Sequence, residues 1–256
     1  MKMNKIAALG AAAVTALSLA GCGGSSSAKT VTMATSPDFA PWEYMDGDKV
    51  VGIDPEIAQA IADEMGVTLK IESMSFDSII PAVASGKADF GMAGFTVTDE
   101  RKEQVDFSDT YTTSIQKIMV RKDSDIKSYE DLEGKTVAVE MGTTGAADVE
   151  GDTTVKMTPD EYKTYGDVIT ALKTSKVDAA VLDSLPAEQF AEQNDDLTIL
   201  DDEPYGQEAY AAVFKKGSDM TEKYNEALKK LTDDGTIEKI MDKYIGSENE
   251  GIASSS

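Results

Sequence analysis

The chain reads as an α/β fold, and two observations predict it. Short apolar runs suited to strands alternate with amphipathic stretches at helical spacing, over nearly the whole length. Small-residue turns and glycines separate them, and no internal repeat or long linker interrupts the series.

Residues 30–34 form the first expected strand. A helix then opens at Asp54-Pro55-Glu56, with Asp54 as N-cap, Pro55 at the first helical position and Glu56 complementing the helix dipole. Its apolar stripe is Ile57, Ala60, Ile61 and Met65, and Gly66 supplies the stop. Residues 67–71 form the next strand. Phe76, Ile79, Ile80 and Val83 mark a second helix ending near Ser85-Gly86, followed by a short strand at 88–93. A strand at 135–140 runs into the turn Gly142-Thr143-Thr144-Gly145. Val168, Ala171 and Leu172 mark a helix, and residues 179–182 a strand ending at Asp183. Another short strand follows at 197–200. Tyr224, Ala227, Leu228 and Leu231 form a helical stripe, broken by Asp234-Gly235. Ile237, Ile240, Met241 and Tyr244 form the last helix.

The first residues read as an export signal. Lys2 and Lys5 precede an uncharged apolar run at 6–20, shorter than the ~20 residues of a membrane span. It ends in Leu19-Ala20-Gly21-Cys22, similar to the lipobox of bacterial lipoproteins, where the Cys thiol takes a lipid and becomes the mature N-terminus. The expected division is a signal peptide at 1–21, a Gly/Ser tether at 22–29 and a disordered tail at 247–256. The mature protein is then extracytoplasmic and held to the membrane by the lipid on Cys22 alone.

Composition excludes several functions. The formal net charge is −23, and losing Lys2 and Lys5 deepens it by two, which argues against nucleic-acid partners and anionic lipid surfaces. There is no His, so Ser-His-Asp and Cys-His hydrolases and His-ligated zinc sites are ruled out. Cys22 is the sole Cys, which removes internal disulfides and Cys-based metal sites. No metal or cofactor is expected. Carboxylate or Lys chemistry remains open on composition alone.

A resemblance runs through most of residues 31–244. Phe39-Ala40-Pro41-Trp42-Glu43-Tyr44, Val51-Gly52-Ile53-Asp54 and Phe76-Asp77-Ser78-Ile79-Ile80-Pro81-Ala82 come first. Gly86-Lys87-Ala88-Asp89, Thr96-Val97-Thr98-Asp99-Glu100-Arg101 and Val105-Asp106-Phe107-Ser108 follow, then Gly142-Thr143-Thr144-Gly145, Asp178-Ala179-Ala180-Val181-Leu182-Asp183 and Asp234-Gly235-Thr236-Ile237. Each piece is weak alone. In this order and spacing they resemble family 3 of the extracellular solute-binding proteins, which serve polar amino-acid ABC transporters.

The resemblance implies a two-lobed periplasmic-binding-protein-like fold (type II) whose lobes are joined by two hinge strands, with the chain crossing near 111–114 and 206–209. One lobe is then 30–113 plus 210–246, the other 114–209. It implies a monomer that captures a free amino acid by lobe closure and passes it to a membrane permease and its ATPase. It also implies site residues. Arg101 matches the carboxylate-binding Arg, whose planar fork suits bidentate pairing, with Thr98 capping the helix beneath it. Asp183 matches the ammonium-binding Asp. Gly94 and Thr96 match the backbone and hydroxyl contacts to the amino-acid head, and Thr144 the opposite lobe's carboxylate contact. Phe39 and Phe76 match rings that flank the ligand side chain. Ser36 stands where members binding basic amino acids often carry Asp, and Glu140 where glutamine-binding members carry Lys. Asp38 is close enough in sequence to reach the same pocket. Glu140 favours a basic or polar ligand such as arginine, lysine or glutamine over an acidic one. Two alternatives stay open: a surface lipoprotein that senses ligand for a signalling partner, and a dehydratase-type enzyme on the same fold.

Overall fold

A computed structural model describes residues 29–246. The expected signal peptide, Cys22, nearly all of the tether and the tail lie outside the described residues.

The first body is built on a five-stranded sheet. Strand β1 (Thr30–Thr35) is followed by a small hairpin sheet, β2 (Asp38–Phe39), β3 (Glu43–Asp46) and β4 (Lys49–Val51), and then by helix α1 (Ile53–Glu64). Strand β5 (Thr68–Ser73) pairs parallel with β1 in register Val31↔Leu69. Helix α2 (Phe76–Ser85), β6 (Phe90–Gly91), α3 (Asp99–Gln104) and β7 (Val105–Phe107) follow.

Strand β8 (Thr112–Arg121) carries the chain onward. After it come a 3-10 turn at Tyr129–Leu132, β9 (Thr136–Glu140), α4 (Thr144–Gly151), β10 (Thr158–Tyr162), α5 (Tyr165–Lys173), β11 (Ala179–Asp183), α6 (Ser184–Gln193) and β12 (Leu197–Ile199). These strands build a second sheet in the order β10-β9-β11-β8-β12. The chain returns along β13 (Gln207–Tyr210), which pairs antiparallel with the start of β8, Tyr210 facing Thr112. Strand β14 (Val213–Lys215) then completes the first sheet, in the order β5-β1-β6-β14-β7, and α7 (Met220–Asp233) and α8 (Thr236–Ile245) close the chain. The architecture is therefore two α/β lobes, each with its own sheet, connected through the paired strands β8 and β13.

The helices form for the expected reason: one face of each is apolar and buried. Ile57 and Ile61 of α1 and Tyr224, Leu228 and Leu231 of α7 pack into one core with Phe90 and Phe214. Phe90, Phe214 and Tyr224 form an aromatic triangle, with ring centroids 5.1 to 5.9 Å apart. The opposite lobe centres on Ile118, Val137, Val139 and Val181. Gly66 follows α1 at φ +67° and Gly86 caps α2 in the left-handed conformation, both at the expected stops.

Two expectations need correction, and one element was not expected. Gly52, not Asp54, is the N-cap of α1; Asp54 lies inside the first turn and points into the protein, and Pro55 sits at the third helical position. The expected strand at 88–93 shrinks to Phe90–Gly91, because the chain turns at Gly94 (φ +57°) to enter the site. The hairpin β2–β4 carries no strong period-two pattern and is added by the tertiary structure. Among the described residues, no helix is long and apolar enough to cross a membrane, and no cluster of His, Cys, Asp and Glu could hold a metal.

Candidate functional site

A pocket lies between the lobes. Ser36, Asp38, Phe39, Phe76, Gly94, Thr96 and Arg101 line it from one lobe, and Glu140, Thr144 and Asp183 from the other. All nine site residues expected from sequence therefore meet at one place, and Asp38 joins them. Glu43, Ala93, Thr143 and Tyr165 complete the wall.

Arg101 sits on the first turns of α3. Thr98 caps that helix, its hydroxyl accepting from the Arg101 N–H at 3.2 Å. Arg101 is 8% exposed. It lies over two stacked rings, 5.5 Å from the Phe76 centroid and 5.4 Å from that of Phe95. Phe76 is thus a support for the cation as well as part of the wall. One guanidinium nitrogen donates to the Thr96 carbonyl at 2.8 Å and another to the Gly142 carbonyl of the opposite lobe at 3.1 Å. Two of five donor hydrogens account for those bonds, which leaves a fork for an anion. Burial lowers the guanidinium pKa, and the charges of Glu208 and Asp183 oppose that effect.

Asp183 ends β11 at the carboxyl edge of the sheet. Its side chain makes no cap bond to α6. It accepts instead from Gln116 at 3.0 Å and from the Tyr210 hydroxyl. Burial, then the nearby Glu208 carboxylate, raise its pKa. Gln116 also donates to Glu208 at 3.0 Å, and Thr96 donates to the same carboxylate at 3.1 Å. Gln116 and Glu208, on β8 and β13, tie the head of the site to the connecting strands. Neither was anticipated; Glu208 lies in the expected second crossing, which was the one available signal.

The other end of the cavity is acidic. Glu140, at the end of β9, is 3% exposed, and one of its carboxylate oxygens has no hydrogen-bond partner. Among the described residues it has no salt-bridge partner. Burial first, then Asp38, Asp183 and Asp77, push its pKa up to about 9. Ser36 donates to Asp38 at 3.1 Å, so the hydroxyl steadies a carboxylate two residues away. Asp38 also accepts the Tyr165 N–H across the cleft at 3.0 Å, and burial raises its pKa. The rings of Phe39 and Tyr165 stack across the same gap at 5.3 Å. The lobes are therefore in direct contact around the cavity.

Asp54 is the positioning acid behind this wall. It accepts the Gly94 N–H and the Tyr111 hydroxyl, each at 3.0 Å. It holds the tight turn at Gly94, where a Cβ would meet the Phe39 ring at 2.7 Å. Burial raises its pKa to about 7.

Residues 31–247 match the family model described as bacterial extracellular solute-binding proteins, family 3. The chain is 36% identical to the arginine-binding extracellular protein ArtP of Bacillus subtilis (strain 168), over 96% of this chain and 100% of that one. Among solved structures, an ancestral arginine-binding protein bound to arginine superposes with TM-score 0.81 at 38% identity, covering 86% of this chain and 100% of that one. The arginine-, lysine-, histidine-binding protein ArtJ from Geobacillus stearothermophilus gives TM-score 0.80 at 32% identity, covering 86% and 96%.

Proposed function

We propose, from the premise that this chain belongs to the bacterial extracellular solute-binding proteins, family 3, that it is the substrate-binding subunit of an amino-acid ABC importer. It binds and releases a free amino acid and is not an enzyme. The observation that carries this reading is the pairing of one buried cation with buried acids across the cleft. Arg101 is suited to the ligand carboxylate through its remaining donors, and Thr96 and Thr144 stand beside it. Asp183 and the Gly94 carbonyl are suited to the ammonium. Arg101 belongs to one lobe and Asp183 to the other, so one ligand links both and favours the closed arrangement. The lobes divide at 30–113 plus 210–246 and at 114–209, with β8 and β13 as the hinge.

The ligand is a basic or polar amino acid, with arginine first. Asp38, Glu43 and Glu140 face the cavity and Arg101 is the one basic residue lining it, so an acidic side chain meets repulsion. Phe39 and Phe76 cover the aliphatic part of the side chain. The arginine binding named for ArtP and for the ancestral protein supports the same choice. The protein is extracytoplasmic, a monomer anchored through a lipid on Cys22 after removal of residues 1–21, and it docks on a permease.

A thermal-shift screen of the untethered domain against the common amino acids tests the reading. Arginine is expected to raise the melting temperature most, followed by lysine or glutamine, and glutamate not at all. Glu140→Gln is expected to reduce the arginine shift and to spare the glutamine shift. No shift with any amino acid would refute the proposal.

A further inference from the structure

Asp54 anchors the turn at Gly94 through one oxygen, Oδ2, which accepts both the Gly94 N–H and the Tyr111 hydroxyl. Its other oxygen, Oδ1, is buried and receives neither donor. The remaining side chain bonded to Asp54 is Glu43 of β3, itself a carboxyl and itself fully buried. Two ionised carboxylates have only acceptors to offer each other. Their contact is a hydrogen bond only when one of the pair carries a proton, and two adjacent buried charges cannot both persist.

The backbone keeps this pair together. Glu43 opens β3 opposite Phe39, and the carbonyl of its neighbour Trp42 accepts the Asp54 N–H at 2.9 Å. The hairpin and the first turn of α1 are therefore joined at the residues that carry the two carboxyls. The other groups acting most on Glu43 are acids too, Asp38 from β2 and Glu140 from β9. The Tyr111 hydroxyl, just ahead of β8, lies in the same field, with Tyr224 of α7 behind it. None of these groups is a counter-ion, so a proton is what keeps the pair together.

We infer that Glu43 is a positioning residue of the ligand site: its carboxyl keeps a proton and donates it to Asp54, which in turn holds the Gly94 turn in the shape that offers its carbonyl to the ligand ammonium. The ligand end of this chain rests on the amino-acid reading above. Burial first, then Asp54 and Asp38, hold Glu43 well above the usual carboxylate range, and burial raises Asp54 to about 7. The pair keeps one proton at neutral pH and releases it to solvent in alkali. Both shifts are upward, so the stability linked to them is full in acid and falls as pH rises through the raised values. Once both carboxyls are ionised, their repulsion drives the hairpin off α1 and frees the turn.

Urea unfolding of the ligand-free protein between about pH 6 and pH 10, with arginine calorimetry alongside, tests this. Wild type is expected to lose stability toward alkaline pH. Glu43→Ala removes the donor and is expected to weaken arginine binding at least about tenfold at neutral pH. Glu43→Gln carries an amide N–H that can donate to Asp54 and cannot ionise. It is expected to fold, to regain most of the arginine affinity that Glu43→Ala loses and to lack most of the alkaline loss. Some loss remains because Glu140 also titrates there. An alkaline loss in Glu43→Gln equal to that of wild type overturns the proposal. So does a Glu43→Gln that fails to fold or binds arginine no better than a folded Glu43→Ala. Should Glu43→Ala not fold, the wild-type and Glu43→Gln profiles decide. Those profiles need no ligand. If they differ as expected while wild type binds no amino acid, the amino-acid reading fails and the shared proton stands.

Discussion

Arg101→Ala is expected to weaken amino-acid binding on the order of a thousandfold, about 4 kcal/mol, because it removes the one buried cation from an acidic cavity. Three effects add. The ligand carboxylate loses its forked donor. Asp183 loses a charge that offsets its repulsion with Glu208, and its pKa rises further. The bond from Arg101 to the Gly142 carbonyl disappears, which removes a strut between the lobes. Arg101→Lys is expected to recover little, since an ammonium cannot reach the Thr96 and Gly142 carbonyls and a carboxylate as a fork does. Titration calorimetry with circular dichroism as a folding control checks both variants. Binding by a folded Arg101→Ala within tenfold of wild type would remove Arg101 from the site.

Gly52→Ala is expected to cost at least about 3 kcal/mol of stability, or to prevent folding. Gly52 has φ +132° and ψ −174°, a region nearly reserved for glycine. A Cβ there would lie 2.3 Å from the Trp42 carbonyl oxygen and 2.9 Å from the Glu43 Cα. Those atoms cannot retreat cheaply. The Trp42 carbonyl accepts the Asp54 N–H at 2.9 Å and the Pro41 carbonyl accepts the Ile53 N–H at 3.1 Å, which is how the hairpin docks on α1. The same hairpin carries Phe39 and Glu43, so any folded Gly52→Ala should bind ligand poorly too. Gly66→Ala is the control. It also has positive φ, at +67°, but a Cβ there meets nothing within 4 Å, and a loss of about 1 kcal/mol is expected. Urea unfolding compares the pair; equal losses would refute both the clash and the added backbone strain at Gly52.

The α/β class and most helix stops were legible because each rests on a local signal, and the pocket-lining residues because ordered motifs resemble those of a known family. Alternation reports which face is buried, and glycines at 66 and 86 end helices through their own backbone freedom. Arg101, Thr96 and Gly94 lie within eight residues of one another, and Thr98 caps the helix that carries Arg101. The misreading of Asp54 is instructive. An Asp before Pro and Glu satisfies every local requirement of an N-cap. Nothing nearby reports that Gly94 and Tyr111, 40 and 57 residues later, will bring it their donors.

The sequence by itself determined the class of fold and the absence of His chemistry, which follow from period and composition, and its resemblance to a family pointed to residues that line the pocket. Only the tertiary structure added Glu43 to the acids that face the cavity and set the partners of the others. Tyr165 reaches Asp38 across 127 residues, and Glu208 meets Thr96 across 112. Glu43 looks like any polar residue of a hairpin until the fold buries it beside Asp54 at the cavity wall. Burial and partner choice are properties of the folded whole. They set the charge of the pocket.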